Sequence, residues 1–178
     1  MSRPERRPER TSRRALDKRA DLAGPLEFFI DRSLGRRHLA AALDDLGLTV
    51  HTMASVYGER VAQGLDDERW LADAGEHGWV VLMKDDAIRR RPAERDALVA
   101  ARVRAFCLTN AQLRAEQQSA RFVENIARIK RQAKNPGPYI YGVYDGYSAP
   151  RGVMSPGGLR GPPLVTAMTG RSWGQSGP

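Results

Sequence analysis

The sequence of 178 residues contains a single cysteine, and this scarcity excludes several kinds of site. One thiol cannot form an internal disulfide, and it cannot supply the ligands of a cysteine-rich zinc site. Cys107 lies in the apolar segment 103–109 (VRAFCLT), so we predict a small buried strand residue and not a nucleophile. The three histidines, His38, His51 and His77, are scattered and form no pair at helical spacing, which disfavours a histidine metal site.

Long apolar runs are also missing. No stretch approaches the roughly 18 residues that a membrane-spanning helix needs, and the amino terminus lacks the apolar segment of a signal peptide. These two absences predict a cytoplasmic protein that does not associate with a membrane.

Positive charge is plentiful, but it is concentrated in the flanks of the chain. The sequence has 29 basic and 21 acidic residues, a formal net charge of +8. Residues 1–20 hold eight basic and three acidic side chains, and residues 149–178 hold three arginines and no acid. The segment 21–148 balances at 18 of each sign. The net charge therefore belongs to the flanks, and a solubilising role for these flanks is favoured over non-specific contact with nucleic-acid phosphates.

Composition divides the chain into three parts. Residues 1–24 open with Arg, Pro and Glu repeats and show no apolar periodicity, while residues 149–178 are rich in Gly, Pro and Ser. Segments this polar bury too little surface to offset the entropy of ordering, so we predict a disordered basic N-terminal segment and a flexible tail. Residues 25–148 remain as one domain, long enough to bury a core of its own.

Apolar patterning within this domain alternates between strand and helix. It predicts strands at residues 26–31, 48–52, 79–83, 103–109 and 139–144, helices at 33–47, 67–78, 92–101 and 111–134, and a polar loop at 55–65. In the first helix, Leu39, Ala42, Leu43 and Leu46 recur at helical spacing. The alternating order predicts an α/β fold, with a mainly parallel sheet and helices on both faces.

The segment that points most directly to chemistry is residues 78–95 (GWVVLMKDDAIRRRPAER). Its apolar run ends abruptly in acids and then in arginines: Asp85, Asp86, Arg89, Arg90 and Arg91. Ligands of open α/β sheets bind at the carboxyl ends of the strands. Carboxylates there can hold a metal, and arginines one helical turn further on can meet a phosphate. An acid after a strand also commonly starts a turn or caps a helix, and a charge run is commonly a solvated surface.

Two more acids occupy comparable places. Asp31 ends the first predicted strand, and Asp67 starts a predicted helix between the two. Right-handed crossovers bring strand carboxyl ends to one edge of a sheet, so Asp31, Asp67 and Asp85 can converge. Clustered carboxylates repel one another, and oxygen ligands favour Mg²⁺ or Mn²⁺ as the neutralising cation. A metal-activated water could then attack a phosphodiester. In the simpler interpretation Asp67 is only a helix cap and Asp86 a solvated neighbour.

Four short motifs occur in order along the chain: residues 28–35 (FFIDRSLG), 67–71 (DERWL), 78–85 (GWVVLMKD) and 88–94 (IRRRPAE). A fifth, at residues 136–140 (PGPYI), follows them. Together they resemble a PIN-like domain over about residues 25–145, most closely the branch of VapC-type toxins. The resemblance implies an α/β/α sandwich with a mainly parallel central sheet, and an acidic pocket that binds Mg²⁺ or Mn²⁺ and cleaves RNA.

The same resemblance implies roles for individual acids. Asp31 matches the acid after the first strand, Asp67 the acid of the second motif, and Asp85 the acid of the third. It therefore implies that these three are the catalytic metal ligands, with Asp86 as an optional fourth ligand. Glu94 matches a family acid to which we assign no role.

The sequence departs from the family pattern at one place, because Met83 stands where threonine is usual. The exchange removes a hydroxyl that could orient water or ligand beside the site, but it removes none of the implied metal ligands. Phosphates would be positioned by the three arginines that follow, Arg89, Arg90 and Arg91.

The sequence thus predicts a metal-dependent endoribonuclease, the toxin of a type II toxin–antitoxin pair. Its expected partners are RNA and a cognate antitoxin protein, and a homodimer is left open. One alternative is a catalytically weak PIN-like module that binds RNA or protein, which Met83 favours and the intact acid set disfavours. Another is a receiver-type phosphoacceptor, which is disfavoured because Asp31 is followed by Arg32 and not by a second acid.

Overall fold

The computed structural model describes residues 24–35, 37–84, 91–110 and 112–145, and the backbone of residues 148–151. Nearly all of the predicted N-terminal segment and most of the predicted tail lie outside these ranges. The division of the chain into a central domain and two disordered flanks therefore stays a prediction.

Six strands of the described chain form one sheet. They are β1 (Glu27–Ile30), β2 (Thr49–Thr52), β3 (Val80–Met83), β4 (Arg104–Leu108), β5 (Tyr139–Val143) and β6 (Ser148–Arg151). Their order across the sheet is β2-β1-β3-β4-β5-β6; the first five are parallel, and β6 runs antiparallel to β5. The predicted α/β fold with a mainly parallel sheet is confirmed, and β1 to β5 begin and end within a residue of the predicted positions.

Helices connect the parallel strands. They are α1 (His38–Asp44), α2 (Met53–Tyr57), α3 (Glu59–Ala62), α4 (Asp67–Glu76), α5 (Pro92–Ala100) and α6 (Ala115–Gln132). Pro92 opens α5, where its missing N–H is not needed. In the part of the chain that is described, no helix combines the length and the apolar character required to cross a bilayer.

Several local predictions differ from the structure. The polar loop predicted at 55–65 is wrong, because this stretch contains most of α2 and all of α3. The first helix starts at His38 and not at 33, since residues 32–34 form a 3₁₀ turn. It ends at Asp44 and not at 47, so Leu46, which the apolar spacing placed on the helix, lies beyond it and is 50% exposed. β6 extends into the segment predicted to be a flexible tail.

The core consists of two apolar layers, one on each face of the sheet. Successive side chains of a strand point to opposite faces, so Phe28 and Phe29 enter different layers. One layer holds buried residues of α1 and α6, such as Leu43 and Phe122. The other holds buried residues of α2 to α5, including Trp70. Central strands covered on both faces read as continuous apolar runs, which explains why β1 and β3 were predictable.

The predicted burial of Cys107 is confirmed, and two tryptophans are buried as well. Cys107 is fully buried in β4, and Trp70 and Trp79 are almost fully buried. Both indole rings stack on Phe29, with ring centroids 5.5 Å and 5.4 Å away. The two tryptophans therefore belong to the core and are not exposed platforms for stacking RNA bases.

The central strands β1 and β3 bring their carboxyl ends to the same edge of the sheet. Ile30 lies beside Leu82 in the parallel pairing, and the backbone N–H of Asp31 donates to the carbonyl of Leu82 at 3.0 Å. One step further on, the backbone N–H of Lys84 donates to the Ser33 hydroxyl at 3.1 Å. The residues that follow these two strands are thus held next to each other.

Candidate active site

A pocket of about 160 Å³ opens at this carboxyl edge of the sheet. It is lined by residues from the end of β1, the start of α4, the end of β3 and the first turn of α5: Asp31, Arg32, Ser33, Asp67, Trp70, Met83 and Glu94. Two of the acids predicted to form the site, Asp31 and Asp67, are therefore brought together although 36 positions separate them in the sequence. The topology of the parallel sheet places them there, as the crossover argument predicted.

Asp31 is a buried carboxylate, with only 7% of the residue exposed. It caps the 3₁₀ turn, because its Oδ2 accepts a hydrogen bond from the backbone N–H of Ser33 at 3.2 Å. Burial raises the pKa of the Asp31 carboxyl above its ordinary value, and the negative charge of Asp67 raises it further. Hydrogen bonds from Ser33 and the charge of Arg32 oppose this shift of the pKa. The ionised form of Asp31 is therefore destabilised unless a further positive charge enters the pocket.

Asp67 is held by two donors that meet at one oxygen. Its Oδ1 accepts from Arg32 Nη2 at 2.6 Å and from Trp70 Nε1 at 2.9 Å. Asp67 is the first residue of α4, and Trp70 lies one turn further along the same helix. The position of Asp67 at a helix start was predicted, but the simpler interpretation of Asp67 as a helix cap is wrong, because Asp66 is the N-cap residue and the Asp67 side chain binds Arg32 and Trp70 instead.

Glu94 is the third carboxylate of the pocket lining. It lies in the first turn of α5, and its Oε1 accepts from Arg91 Nη1 at 2.9 Å. The side chain of Glu94 is 13% exposed. Arg91, predicted to bind phosphate, thus already contacts an acid of the pocket.

Asp85 and Asp86, as well as Arg89 and Arg90, lie outside the described residues. Met83, the last residue of β3, lines the pocket. Within the described ranges, no three acidic, histidine or cysteine side chains are close enough together to hold a metal. The full ligand set of Asp31, Asp67, Asp85 and Asp86 therefore stays a prediction.

The donors that are present fit a hard divalent cation. Asp31 and Asp67 offer carboxylate oxygens, which suit Mg²⁺ or Mn²⁺ better than zinc. Burial raises the pKa of the Asp31 carboxyl, because its ionised form loses much of the solvation that it has in water. A cation bound by both carboxylates would offset this loss.

Sequence reasoning missed three residues of the pocket. Arg32 and Ser33 follow Asp31 directly, and Trp70 follows Asp67 at a distance of three residues. Their positions could have indicated them. Residues one or two places after an acid at a strand end, or one helical turn after an acid at a helix start, lie close to that acid. Ser33 adds a hydroxyl group to the pocket lining, whereas Met83, which also lines the pocket, has no hydroxyl group.

We expect Trp70→Phe to weaken the site more than the fold. The change keeps an aromatic ring next to Phe29 but removes the N–H that orients Asp67. Removing a partner that orients a metal ligand typically costs about ten- to a hundredfold in metal affinity. Titration of Mn²⁺ by calorimetry measures the effect.

Trp79→Phe is the matched control for that experiment. Trp79 also stacks on Phe29 and donates its Nε1–H to a carboxylate, Glu27 Oε2 at 3.1 Å, but it does not line the pocket. Equal losses of Mn²⁺ affinity in both variants would contradict an orienting role for Trp70.

The sequence is similar to known proteins over the part of the chain that contains the residues of the pocket. The sequence model of a family described as "PIN like domain" matches residues 26–110, a range that contains Asp31, Asp67 and Glu94. A protein of Mycobacterium tuberculosis named "Putative ribonuclease VapC45" is 41% identical over 116 residues, which is 65% of this chain and 84% of that protein. No solved structure gives a significant match. From this degree of identity and coverage, the chain belongs to the VapC branch of the PIN-like domain family.

Proposed function

We propose that this chain is an endoribonuclease that hydrolyses RNA phosphodiester bonds with the help of Mg²⁺ or Mn²⁺. The observation that carries the proposal is the convergence of Asp31 and Asp67 in one pocket at the carboxyl edge of the sheet. The similarity to a protein named as a ribonuclease supports the choice of RNA as the substrate.

In this proposal Asp31 and Asp67 hold the cation, together with Asp85 and optionally Asp86. The cation would offset the carboxylate charges and stabilise the negative charge that develops on the phosphate during hydrolysis. Ser33 contributes a hydroxyl at the pocket wall that can donate a hydrogen bond to substrate or water. The arginines after β3, Arg89, Arg90 and Arg91, position the phosphates of the RNA strand.

We further propose that the protein is the toxin of a type II toxin–antitoxin pair and acts in the cytoplasm. Membership of the VapC branch supports a cognate antitoxin protein as its partner. The exposed side chains of Val56 and Val61, on the consecutive short helices α2 and α3, offer apolar surface for such a partner or for a second copy of the chain.

The second candidate function is a PIN-like module that binds RNA or protein without cutting. The observation in its favour is Met83, which is buried at the pocket wall where the family usually has threonine. A thioether donates no hydrogen bond, so a ligand or water beside Met83 has one fewer partner.

Met83→Thr separates these two functions. If the enzyme is active, the wild type already cuts RNA, and the added hydroxyl changes the cleavage rate by less than about tenfold, the order expected for one hydrogen bond of about 1 kcal/mol. Met83→Leu, which has a similar volume and no hydroxyl, is the control. An inert wild type together with an active Met83→Thr variant would favour the binding module.

Cleavage of a mixed RNA pool tests the proposed function itself. The full-length protein is incubated with the pool in Mg²⁺, in Mn²⁺ or in EDTA, and the products are separated by length. We expect internal cuts in the presence of either metal and intact RNA in EDTA. Intact RNA under all three conditions would reject the nuclease.

A further inference from the structure

Arg32 makes an unusual set of contacts for a residue at the wall of an acidic pocket. Its Nη2 lies 2.6 Å from Asp67 Oδ1, and the same guanidinium donates to two backbone carbonyls, those of Gln63 at 3.2 Å and Leu65 at 2.6 Å. All three acceptors belong to the segment that leads into α4 and to its first residue. The guanidinium is therefore fixed in place and is not a freely moving surface charge.

The charge of Arg32 acts on the same oxygens that a cation would use. Asp31, Arg32 and Asp67 all line the pocket, and Arg32 directly follows Asp31 in the chain. Its ion pair with Asp67 is short and charge-assisted, so it neutralises part of the pocket's negative charge when no metal is bound. A divalent cation that approaches Asp67 meets both the repulsion of this guanidinium and its competition for Oδ1.

We propose that Arg32 is a built-in counter-ion of the pocket: it stabilises the metal-free protein and lowers the affinity of the site for divalent cations. The inference rests on the proposed metal-dependent function. It goes beyond that function, because Arg32 would set the concentration of divalent cation that is needed to occupy the site. The alternative role is a purely structural one, in which Arg32 only fixes the path of residues 63–67.

Two substitutions of Arg32 separate its charge from its geometry. Arg32→Gln removes the charge. Arg32→Lys keeps the charge but lacks the planar guanidinium group that donates to three acceptors at once. Arg69→Gln is the matched control, because Arg69 also pairs with an aspartate of α4, Asp73 at 3.4 Å, and does not line the pocket.

The dissociation constant of Mn²⁺ is measured by calorimetry on each full-length variant without RNA. We expect Arg32→Gln to bind Mn²⁺ more tightly, on the order of tenfold, the size expected when one unit charge is removed a few ångström from a divalent cation in a water-like dielectric. Arg32→Lys should stay within about twofold of the wild type, and Arg69→Gln should match the wild type. Unchanged or weaker Mn²⁺ binding in Arg32→Gln would overturn the proposal, and so would the absence of Mn²⁺ binding in every variant.

A second measurement addresses the metal-free state. In EDTA, Arg32→Gln should lower the melting temperature, and this loss should largely disappear when Asp67 is already replaced by asparagine. An equal loss in both backgrounds would indicate the structural role and overturn the proposal.

Tighter Mn²⁺ binding by Arg32→Gln, with RNA left uncut by the wild type, would reject the nuclease function while upholding this role of Arg32.

Discussion

Asp31→Asn should abolish RNA cleavage and at the same time make the metal-free protein more resistant to heat. The loss of cleavage follows because the amide removes a negative charge that the cation needs. Even outer partners of metal ligands typically contribute about ten- to a hundredfold, so the loss of a ligand should exceed about a hundredfold. The amide oxygen keeps the size and the acceptor that caps the 3₁₀ turn through the N–H of Ser33, so the fold should persist.

The direction of the stability change follows from the raised pKa of Asp31. A carboxyl whose pKa is higher in the folded than in the unfolded state stabilises the fold fully below its unfolded pKa, and this contribution is lost as the pH rises through the folded pKa. At neutral pH in EDTA, the wild type therefore carries the cost of a buried charge that Asp31→Asn does not carry. The variant should melt higher, and the difference should shrink as the pH falls towards about 4, near the pKa of an unfolded aspartate.

Melting curves in EDTA and in Mn²⁺ at several pH values check this prediction. The control is Asp44→Asn, which removes one negative charge at an exposed position in the last turn of α1. It should change neither the cleavage of RNA nor the melting temperature in EDTA. An Asp31→Asn protein that melts below the wild type in EDTA at neutral pH would mean that hydrogen bonds to Asp31 outweigh the cost of its burial.

Gly75→Ala should destabilise the protein strongly, although the change lies inside a helix. Helix propensity alone favours alanine over glycine by about 1 kcal/mol. A β-carbon on Gly75 would, however, lie 2.2 Å from the carbonyl oxygen of Ala101 and 2.7 Å from its β-carbon. The carbonyl belongs to the backbone just after α5, so it cannot rotate away as a side chain would. We expect a net loss of about 2 kcal/mol or more in the free energy of unfolding, in the range of other overpacked cores.

Denaturant unfolding of the two proteins measures this loss. Gly64→Ala is the control, because a β-carbon there meets nothing within 4 Å, and its unfolding free energy should change by less than about 1 kcal/mol. The close contact matters for the site as well, since α4 carries Asp67 and α5 carries Glu94. A Gly75→Ala protein as stable as the wild type would show that these two helices can separate easily.

The fold was predictable where the sequence pattern carries the packing. β1 and β3 are buried on both faces, so each reads as an apolar run, and each is followed closely by acidic residues. The two short helices between 53 and 62 escaped prediction because they bury little more than Met53 and Ala62, which leaves no apolar periodicity to detect. β6 escaped prediction because its pairing depends on β5 as a partner and not on its own composition.

The site was predictable in part: the position of its acids could be predicted, but their contacts with other side chains could not. Parallel topology and the family motifs place Asp31 and Asp67 at one edge, and the structure brings them into one pocket. The contact between Arg32 and Asp67 could not be foreseen, since it depends on the path of residues 63–65 and on the rotamer of a long side chain. The roles of Asp85, Asp86, Arg89 and Arg90 remain predictions, as these residues lie outside the described chain.

The central claim is that Asp31 and Asp67 together hold the cation that enables RNA cleavage. The most direct measurement is the initial rate of cleavage of one RNA substrate over a range of Mn²⁺ concentrations, for the wild type, Asp31→Asn and Asp67→Asn. We expect metal-dependent cleavage by the wild type, and rates lower by more than about a hundredfold in both variants. Cleavage by either variant at the wild-type rate, with the same dependence on Mn²⁺, would contradict the claim.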